Sequence, residues 1–157
     1  MATNWEKNLV RKPHYEVSAG EIKGHQYPTM TLMSSDLVPG SNTYIEVGWI
    51  YAMPEPNPHI FEHTHKEGCN EIVLHIGSDP NNPEDLGGEV EFRVDGQPLV
   101  FNTTSGIFIP AGTKHGPVTW KKFSRPHLQM AIVLGAGNLA EADPGGHEKD
   151  RRAGRIK

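Results

Sequence analysis

The sequence predicts an all-β protein with a single domain, and three observations lead to this prediction. Short runs rich in β-branched and large apolar residues recur along the chain, and turn-forming residues separate them. The 17 glycines and 13 prolines are spread between these runs, which is typical of a turn-rich β protein rather than a disordered one. No run shows helical periodicity of any length, and 157 residues suit one domain with a core of ordinary size.

Nine runs are predicted as strands. Asp95-Gly96, between the fifth and sixth runs, favours a two-residue turn and therefore indicates a tight hairpin. The acidic stretch 78–88 is predicted to be a solvated surface loop. The predicted strands cover residues 25–33, 43–52, 60–65, 71–76, 89–94, 98–101, 107–110, 116–121 and 127–134.

Three histidines and a glutamate are spaced so that the predicted strands can bring them together. In His63-Thr64-His65 the two imidazoles are expected on one face, because successive side chains of a strand point to opposite faces. Glu71 begins the next apolar strand, and His115 follows the turn after residues 107–110. That turn contains a glycine, which can take positive φ, so it can direct His115 back over the sheet. The spacing therefore predicts a metal site.

The residue types indicate which metals would suit this site. Imidazole nitrogens with one carboxylate suit Mn, Fe, Ni, Co or Zn, whereas a lone carboxylate is too little for Ca. Four protein ligands leave positions open on a six-coordinate ion for water or substrate. Glu67, in a glycine-containing turn, is the alternative carboxylate ligand to Glu71.

In these residues the chain resembles the cupin superfamily. Cupins carry one motif of the form HxH followed after a few residues by E, and a second motif of the form PxGxxH. The second motif here runs from Pro110 to His115, and the stretch between His65 and Glu71 is longer than family patterns usually have. The resemblance implies a cupin-type double-stranded β-helix, which is a jelly-roll-like β-barrel. It implies as metal ligands His63, His65, Glu71 and His115.

Further residues are predicted to line the pocket beside the metal. His59 and Phe61 share the strand parity of the histidine pair, unless the prolines before them end the strand. His127 and Gln129 stand two apart on an apolar strand, and polar groups in a dry core are costly unless paired. They are therefore expected in a wet cavity, and the alternative is that they face solvent. His59 and His127 are the candidate catalytic residues, Phe61 and Gln129 the candidate substrate contacts, and His75 is either a partner of the site or a satisfied interior histidine.

Charge and composition restrict the partners and the location. The net charge of −4 comes without a basic stripe, so nucleic acid is not an expected partner. No apolar stretch is long enough to span a bilayer and the amino terminus lacks the core of a signal peptide, so we expect no membrane contact and a cytoplasmic location. Cys69 is the only cysteine, which excludes an intrachain disulfide.

The chain is expected to divide into three parts. Residues 1–24 form an N-terminal arm, 25–136 the barrel, and 137–157 a polar tail with too few apolar residues to pack a core alone. The tail either stays mobile or lies across a neighbouring subunit. The resemblance makes a homodimer the expected assembly.

The expected function depends on the chemistry of the metal ion. A divalent ion with open coordination positions can polarise a substrate oxygen and so support isomerisation, decarboxylation, hydration or ring opening. We therefore expect a metal-dependent enzyme acting on a small oxygen-rich metabolite, with lyase, isomerase or hydrolase chemistry preferred. One alternative is an Fe- or Ni-dependent dioxygenase. The other is a non-catalytic cupin that binds a metal or a small ligand.

Overall fold

The computed structural model describes residues 5–16, 21–58 and 62–142, and these residues are mostly strand and turn. They include a 3-10 turn at Trp5–Asn8 and a short helix, α1, at Leu139–Ala142. The strands are β1 (His14–Glu16), β2 (Lys23–His25), β3 (Thr29–Met33), β4 (Thr43–Glu55), β5 (Asn70–Gly77), β6 (Asp85–Val94), β7 (Gln97–Thr103), β8 (Ser105–Ile109), β9 (His115–Phe123) and β10 (His127–Leu134).

The strands form two antiparallel sheets. The larger sheet has the order β1-β3-β4-β10-β5-β8, with β2 also paired to β4, and the smaller sheet has the order β7-β6-β9. Strands that are distant in sequence are neighbours in space, since β10 lies between β4 and β5. Two facing antiparallel sheets with such crossovers are the jelly-roll-like arrangement of a double-stranded β-helix, so the predicted fold class is confirmed.

The hydrophobic core fills the space between the two sheets. Leu86, Phe92 and Trp120 come from the smaller sheet and pack with Ile50 and Val73 from the larger one. All five are at most 3% exposed, so their burial supplies much of the free energy that holds the sheets together. A second, smaller cluster near α1 consists of Tyr44, Cys69, Val133, Ala136 and Ala142.

The register of β4, β10 and β5 determines which side chains face the interior. Every second residue of each strand points inward, and strand partners form rows across the sheet. The three rows that matter for the site are Tyr44–Val133–Glu71, Glu46–Ala131–Val73 and Gly48–Gln129–His75. The interior face therefore carries several polar side chains among its apolar ones.

The predicted surface loop 78–88 is wrong over residues 85–88, because β6 begins at Asp85 and Leu86 is fully buried. These residues belong to the smaller sheet.

The structure also confirms the predicted hairpin turn and corrects two predicted strands. Asp95 and Gly96 both have positive φ in the turn between β6 and β7, as a tight hairpin requires. The predicted strand 25–33 is instead two strands, because the chain turns at Pro28, whose carbonyl accepts a hydrogen bond from Gln26. The predicted strand 60–65 is wrong over residues 62–65, where His63 forms an isolated β-bridge and no strand is present.

The parts predicted as arm and tail also contribute to the structure. β1 pairs with β3, and β2 pairs with β4, so residues of the first 24 extend the larger sheet. α1 lies within residues 137–142 and packs through Ala142 onto the second cluster. The domain limits stay a prediction. Neither helical segment in the described ranges has the length and hydrophobicity to cross a membrane.

Candidate metal centre and its cavity

Four side chains lie close together near the first residues of β5 and β9. His63, His65, Glu71 and His115 each offer one ligand atom, and these atoms all lie within 4.8 Å of one another. A pair of backbone hydrogen bonds of 2.9 Å joins His63 to His115 and so fixes the histidine loop against the start of β9. Gly112 has φ of +77° in the turn before His115, as the sequence predicted for a turn that returns the chain to the sheet.

Backbone carbonyls orient two of the imidazoles. Nδ1 of His65 is bonded to the carbonyl oxygen of Ala142 in α1, and Nδ1 of His115 lies 2.9 Å from the carbonyl oxygen of Thr113. Because a carbonyl oxygen only accepts hydrogen bonds, each Nδ1 carries a proton, and in the neutral ring Nε2 carries a lone pair. These Nε2 atoms point at Glu71 Oε2, at 3.1 Å from His65 and 2.8 Å from His115.

Lone pairs so close together require a positive charge between them. Glu71 Oε2 and His115 Nε2 are fully buried and have no hydrogen-bond partner among the described residues. A proton could bridge only one nitrogen and one oxygen, whereas a metal ion would contact all four side chains. Two ligands ~2.1 Å from one ion at roughly a right angle lie ~3.0 Å apart, which agrees with the two observed distances. The cluster therefore fits a divalent transition metal.

The carboxyl group of the cluster is held in its ionised form. Burial raises the pKa of the Glu71 carboxyl, but the imidazoles of His115 and His65, which donate to the carboxylate when they are protonated in the metal-free protein, outweigh burial and leave the pKa well below its ordinary value. The other carboxylate considered from the sequence, Glu67, is exposed in a turn and is not part of the cluster. The geometry thus favours Glu71 over Glu67 as the ligand.

The cluster lies at one side of a cavity of about 90 Å³. That volume admits roughly six water-sized spheres, or one small organic molecule. Part of the wall is apolar and comes from Val73, Phe92, Val133 and Leu139. A small ligand can therefore reach the cluster and contact apolar side chains beside it.

Another part of the cavity wall is polar, and most of its side chains were not identified from the sequence. It contains Thr29, Tyr44 and Glu46, together with the imidazole of His25. Alternation along the predicted strand 43–52 places Tyr44 and Glu46 on one face, and that signal could have identified them. Gly48 makes room for this wall, since a Cβ there would lie 3.1 Å from His25 Nε2.

Hydrogen bonds fix the positions of these polar groups. Thr29 Oγ1 contacts Glu46 Oε1, and the hydroxyl of Tyr44 donates to Glu16 Oε2 at 2.8 Å. Burial lowers the pKa of His25 to about 4, so its ring is neutral at pH 7. Burial, and then the nearby carboxylate of Glu46, raises the pKa of the Tyr44 hydroxyl.

The structure separates the two polar residues predicted on the last strand. Gln129 lines the cavity, as expected of a substrate contact. His127 does not line it: its Nε2 accepts a hydrogen bond of 3.0 Å from Trp120 Nε1, and its Nδ1 lies 3.1 Å from the carbonyl oxygen of Arg125. Both ring nitrogens are engaged, so this placement offers the predicted catalytic role of His127 no support. The solvent-facing alternative is wrong, because His127 is fully buried and Gln129 is 8% exposed.

Three other residues were predicted in or near the pocket. His59 and Phe61 lie outside the described residues, and their roles stay predictions. His75 is fully buried, and neither of its ring nitrogens has a hydrogen-bond partner among the described residues. It does not line the cavity.

Comparison with known proteins gives matches among solved structures. No family model and no curated protein matches the sequence. A predicted oxalate decarboxylase from Thermotoga maritima is similar with a TM-score of 0.49 and 14% identity, over 78% of this chain and 90% of that one. KdgF from Halomonas sp. is similar with a TM-score of 0.48 and 12% identity, over 80% and 86%. An RmlC-like cupin from Shewanella frigidimarina is similar with a TM-score of 0.49 and 14% identity, over 80% and 84%.

The matched structures thus include a cupin, a member of the superfamily that the sequence motifs resemble. At these identities the similarity concerns the arrangement of strands. The fold assignment rests on the strand order described above, and the activities named for those proteins stay with them.

Proposed function

We propose that this protein is a metal-dependent enzyme that acts on a small oxygen-rich metabolite. The convergence of imidazole and carboxylate lone pairs at the inner end of the cavity supports this proposal. The ligands would be His63, His65, Glu71 and His115. A bound Mn, Fe, Co, Ni or Zn ion would supply Lewis acidity toward substrate oxygens, as lyase, isomerase or hydrolase chemistry requires.

The side chains around the cluster have separate tasks in this proposal. The carboxamide of Gln129 can donate to a substrate oxygen and so orient the bound molecule. The apolar wall formed by Val73, Phe92 and Val133 lowers the local polarity on its side of the cavity, which strengthens electrostatic interactions there. His25 contributes a neutral ring to the cavity wall, and with a pKa of about 4 it is a weak base at neutral pH.

The first experiment is elemental analysis of protein purified without chelators or a metal-binding tag. We expect about one transition metal ion per chain, and Mn, Co or Zn would favour the non-redox chemistry. Iron or nickel would instead direct the search to oxygen-consuming reactions and favour the dioxygenase alternative. Protein that contains no metal and takes up none on reconstitution would contradict the proposal.

Variants of the ligands test which residues hold the ion. We expect His63→Ala and His115→Ala to lose the metal while keeping the circular dichroism spectrum of a folded β protein. His14→Ala is the matched control, because His14 is exposed on β1, far from the cluster in the sheet order. Turnover that is lost together with the metal would separate the enzyme from a protein that only binds a ligand. Full metal content in either ligand variant would contradict the assignment.

We also infer that two copies pair through the outer face of the larger sheet. This face is apolar, since Trp49 is 39% exposed and Phe108 is 59% exposed, with Leu74 and Met130 half-buried between them. A contiguous apolar face of this kind is typical of an interaction surface. Sedimentation at micromolar concentration should give twice the mass of one chain, and Trp49→Lys should shift it to the monomer. A monomer at all concentrations would contradict the inference.

A further inference from the structure

Gln129 lines the cavity with a carboxamide whose hydrogen-bonding groups are open. The residue is 8% exposed and belongs to β10. No hydrogen bond joins its side chain to another of the described residues. A carboxamide has two N–H donors and a carbonyl acceptor, and such groups are costly to bury without partners. Water or a ligand in the cavity must therefore supply the partners of Gln129.

The other polar side chains of the described cavity wall are already engaged. Those of the metal cluster approach one another and would be taken up by the ion. Outside the cluster, the hydroxyl of Thr29 donates to Glu46 and that of Tyr44 donates to a carboxylate of β1. His25 and Glu46 each have further interactions of their own. Among the described lining residues, Gln129 is thus the polar group to which a ligand can bond without displacing a contact within the protein.

The larger sheet places Gln129 away from the metal cluster. Gln129 pairs with His75 and Val133 pairs with Glu71, so Gln129 lies two interior rows from the row of Glu71. This spacing corresponds to ~14 Å between the Cα atoms of Gln129 and Glu71. Ala131 occupies the row between them, and its small apolar side chain lines the cavity. A ligand that contacts both the ion and Gln129 therefore has an apolar middle, and roughly six or seven non-hydrogen atoms suit the volume.

We propose that Gln129 determines the specificity of the cavity, and that the ligand is a short carboxylate whose other end is an uncharged hydroxyl, carbonyl or amide group bonded to this carboxamide. The inference rests on the proposed function, because the carboxylate end needs the ion at the cluster. It goes further by naming the ligand class and the residue that selects it. A ligand of the same shape that ends in a methyl group is disfavoured, because it would displace water from Gln129 and leave the carboxamide without a partner.

The test uses cobalt-loaded full-length protein and pairs of probes that differ only in a terminal hydroxyl or methyl group. The pairs are 3-hydroxypropionate with butyrate, and 4-hydroxybutyrate with pentanoate. Cobalt stoichiometry is measured first, and each probe is then titrated while the visible absorption of the bound ion is followed. In the pair that binds more tightly, we expect Gln129→Met to lower the affinity ratio of the hydroxyl probe to the methyl probe at least about tenfold relative to wild type. Because one pair is compared in both proteins, any difference in how its members bind the ion cancels.

Two further variants make the result specific. Gln97→Met is the matched control, because Gln97 is exposed on β7 and does not line the cavity. We expect it to keep the wild-type ratio. Gln129→Asn keeps the carboxamide but shortens the side chain by one methylene, so an intermediate ratio is expected, and it serves as the second test if the Met variant does not fold.

The outcomes distinguish this inference from the proposed function. Stoichiometric cobalt with a ratio unchanged in Gln129→Met would overturn the role of Gln129 and leave the metal site intact. An equal fall of the ratio in Gln97→Met would also overturn it, because the effect would not come from the cavity. Stoichiometric cobalt without a spectral response to any probe would overturn the ligand class. Failure to bind cobalt would overturn both this inference and the proposed function.

Discussion

Replacing His75 should reduce the acid sensitivity of the fold. The ring is fully buried against Phe101 and Trp120, with centroids 5.2 Å and 6.0 Å away. Neither of its nitrogens has a hydrogen-bond partner among the described residues. Burial, and then the nearby ring of His127, lowers the pKa of His75 to about 3. The unfolded chain would hold the same imidazole at its ordinary pKa of about 6.5.

The magnitude follows from linkage between protonation and folding. Between pH 6.5 and pH 3 the unfolded state binds a proton at His75 that the folded state does not bind, so stability falls as the pH falls through this window. At pH 5 the difference is about 2 kcal/mol relative to pH 7, which corresponds to roughly 4–8 °C in melting temperature for a chain of this size. The depressed pKa of Glu71 affects stability below the ordinary carboxyl pKa of 4.5, which is outside the comparison between pH 7 and pH 5. The lowered pKa of His25 also reduces stability as the pH falls, and this reduction is the same in wild type and in His75→Phe.

The assay is thermal unfolding of wild type and His75→Phe at pH 7 and pH 5, with chelator present so that metal release does not contribute. We expect the decrease in melting temperature between the two pH values to be smaller in the variant by about 4–8 °C. Phe suits the site because the neighbours are aromatic rings. His14→Phe should leave the decrease unchanged, since His14 is exposed. An equal decrease in wild type and His75→Phe would refute the reasoning.

Three further results are expected. Metal at about a hundred times its dissociation constant should stabilise the protein by about 2.7 kcal/mol. The melting temperature should then rise by roughly 5–10 °C, and chelator should reverse the rise. An unchanged melting temperature would argue against a metal site in the folded state. Glu71→Gln should weaken metal binding in a competition titration by at least about tenfold, whereas Glu67→Gln should not, and the opposite order would make Glu67 the ligand. His127→Leu should lower the free energy of unfolding by about 1–3 kcal/mol in chemical denaturation, because it removes the acceptor of the buried Trp120 indole N–H. His127→Gln restores an acceptor and should cost less. Equal losses in the two variants would contradict this explanation.

The clustering of His63, His65, Glu71 and His115 could be predicted from the sequence because local spacing determines it. Strand alternation, the apolar run after Glu71 and the glycine turn before His115 each restrict where one side chain points. The strand expected around His63 does not form over the described residues, yet the cluster assembles through its single bridge to His115. The cytoplasmic location and the exclusion of nucleic acid stay predictions.

The polar wall could not be assigned in the same way, because it depends on which strands become neighbours. Glu46 lines the same cavity as the cluster because β10 joins β4 and β5 in one sheet, an order that the chain does not reveal locally. His127 and Gln129 have the same parity, and only the indole of Trp120 in the opposite sheet distinguishes a satisfied core histidine from a cavity residue. Pairings across the barrel thus decide which polar residues reach the cavity.

The contact between His65 and the carbonyl of Ala142 couples α1 to the candidate metal centre. A helix of four residues cannot persist by itself in water, so α1 depends on contacts of this kind. Coupling between two sites is reciprocal. If the contact with α1 stabilises the His65 tautomer that would bind a metal, a bound ion would stabilise α1 by the same free energy. The amide hydrogen of Ala142, bonded to the carbonyl of Asn138 at 2.9 Å, would then exchange with solvent more slowly as the metal is added. Hydrogen exchange at the Ala142 amide would therefore measure metal occupancy of the cluster, although this amide would not contact the ion.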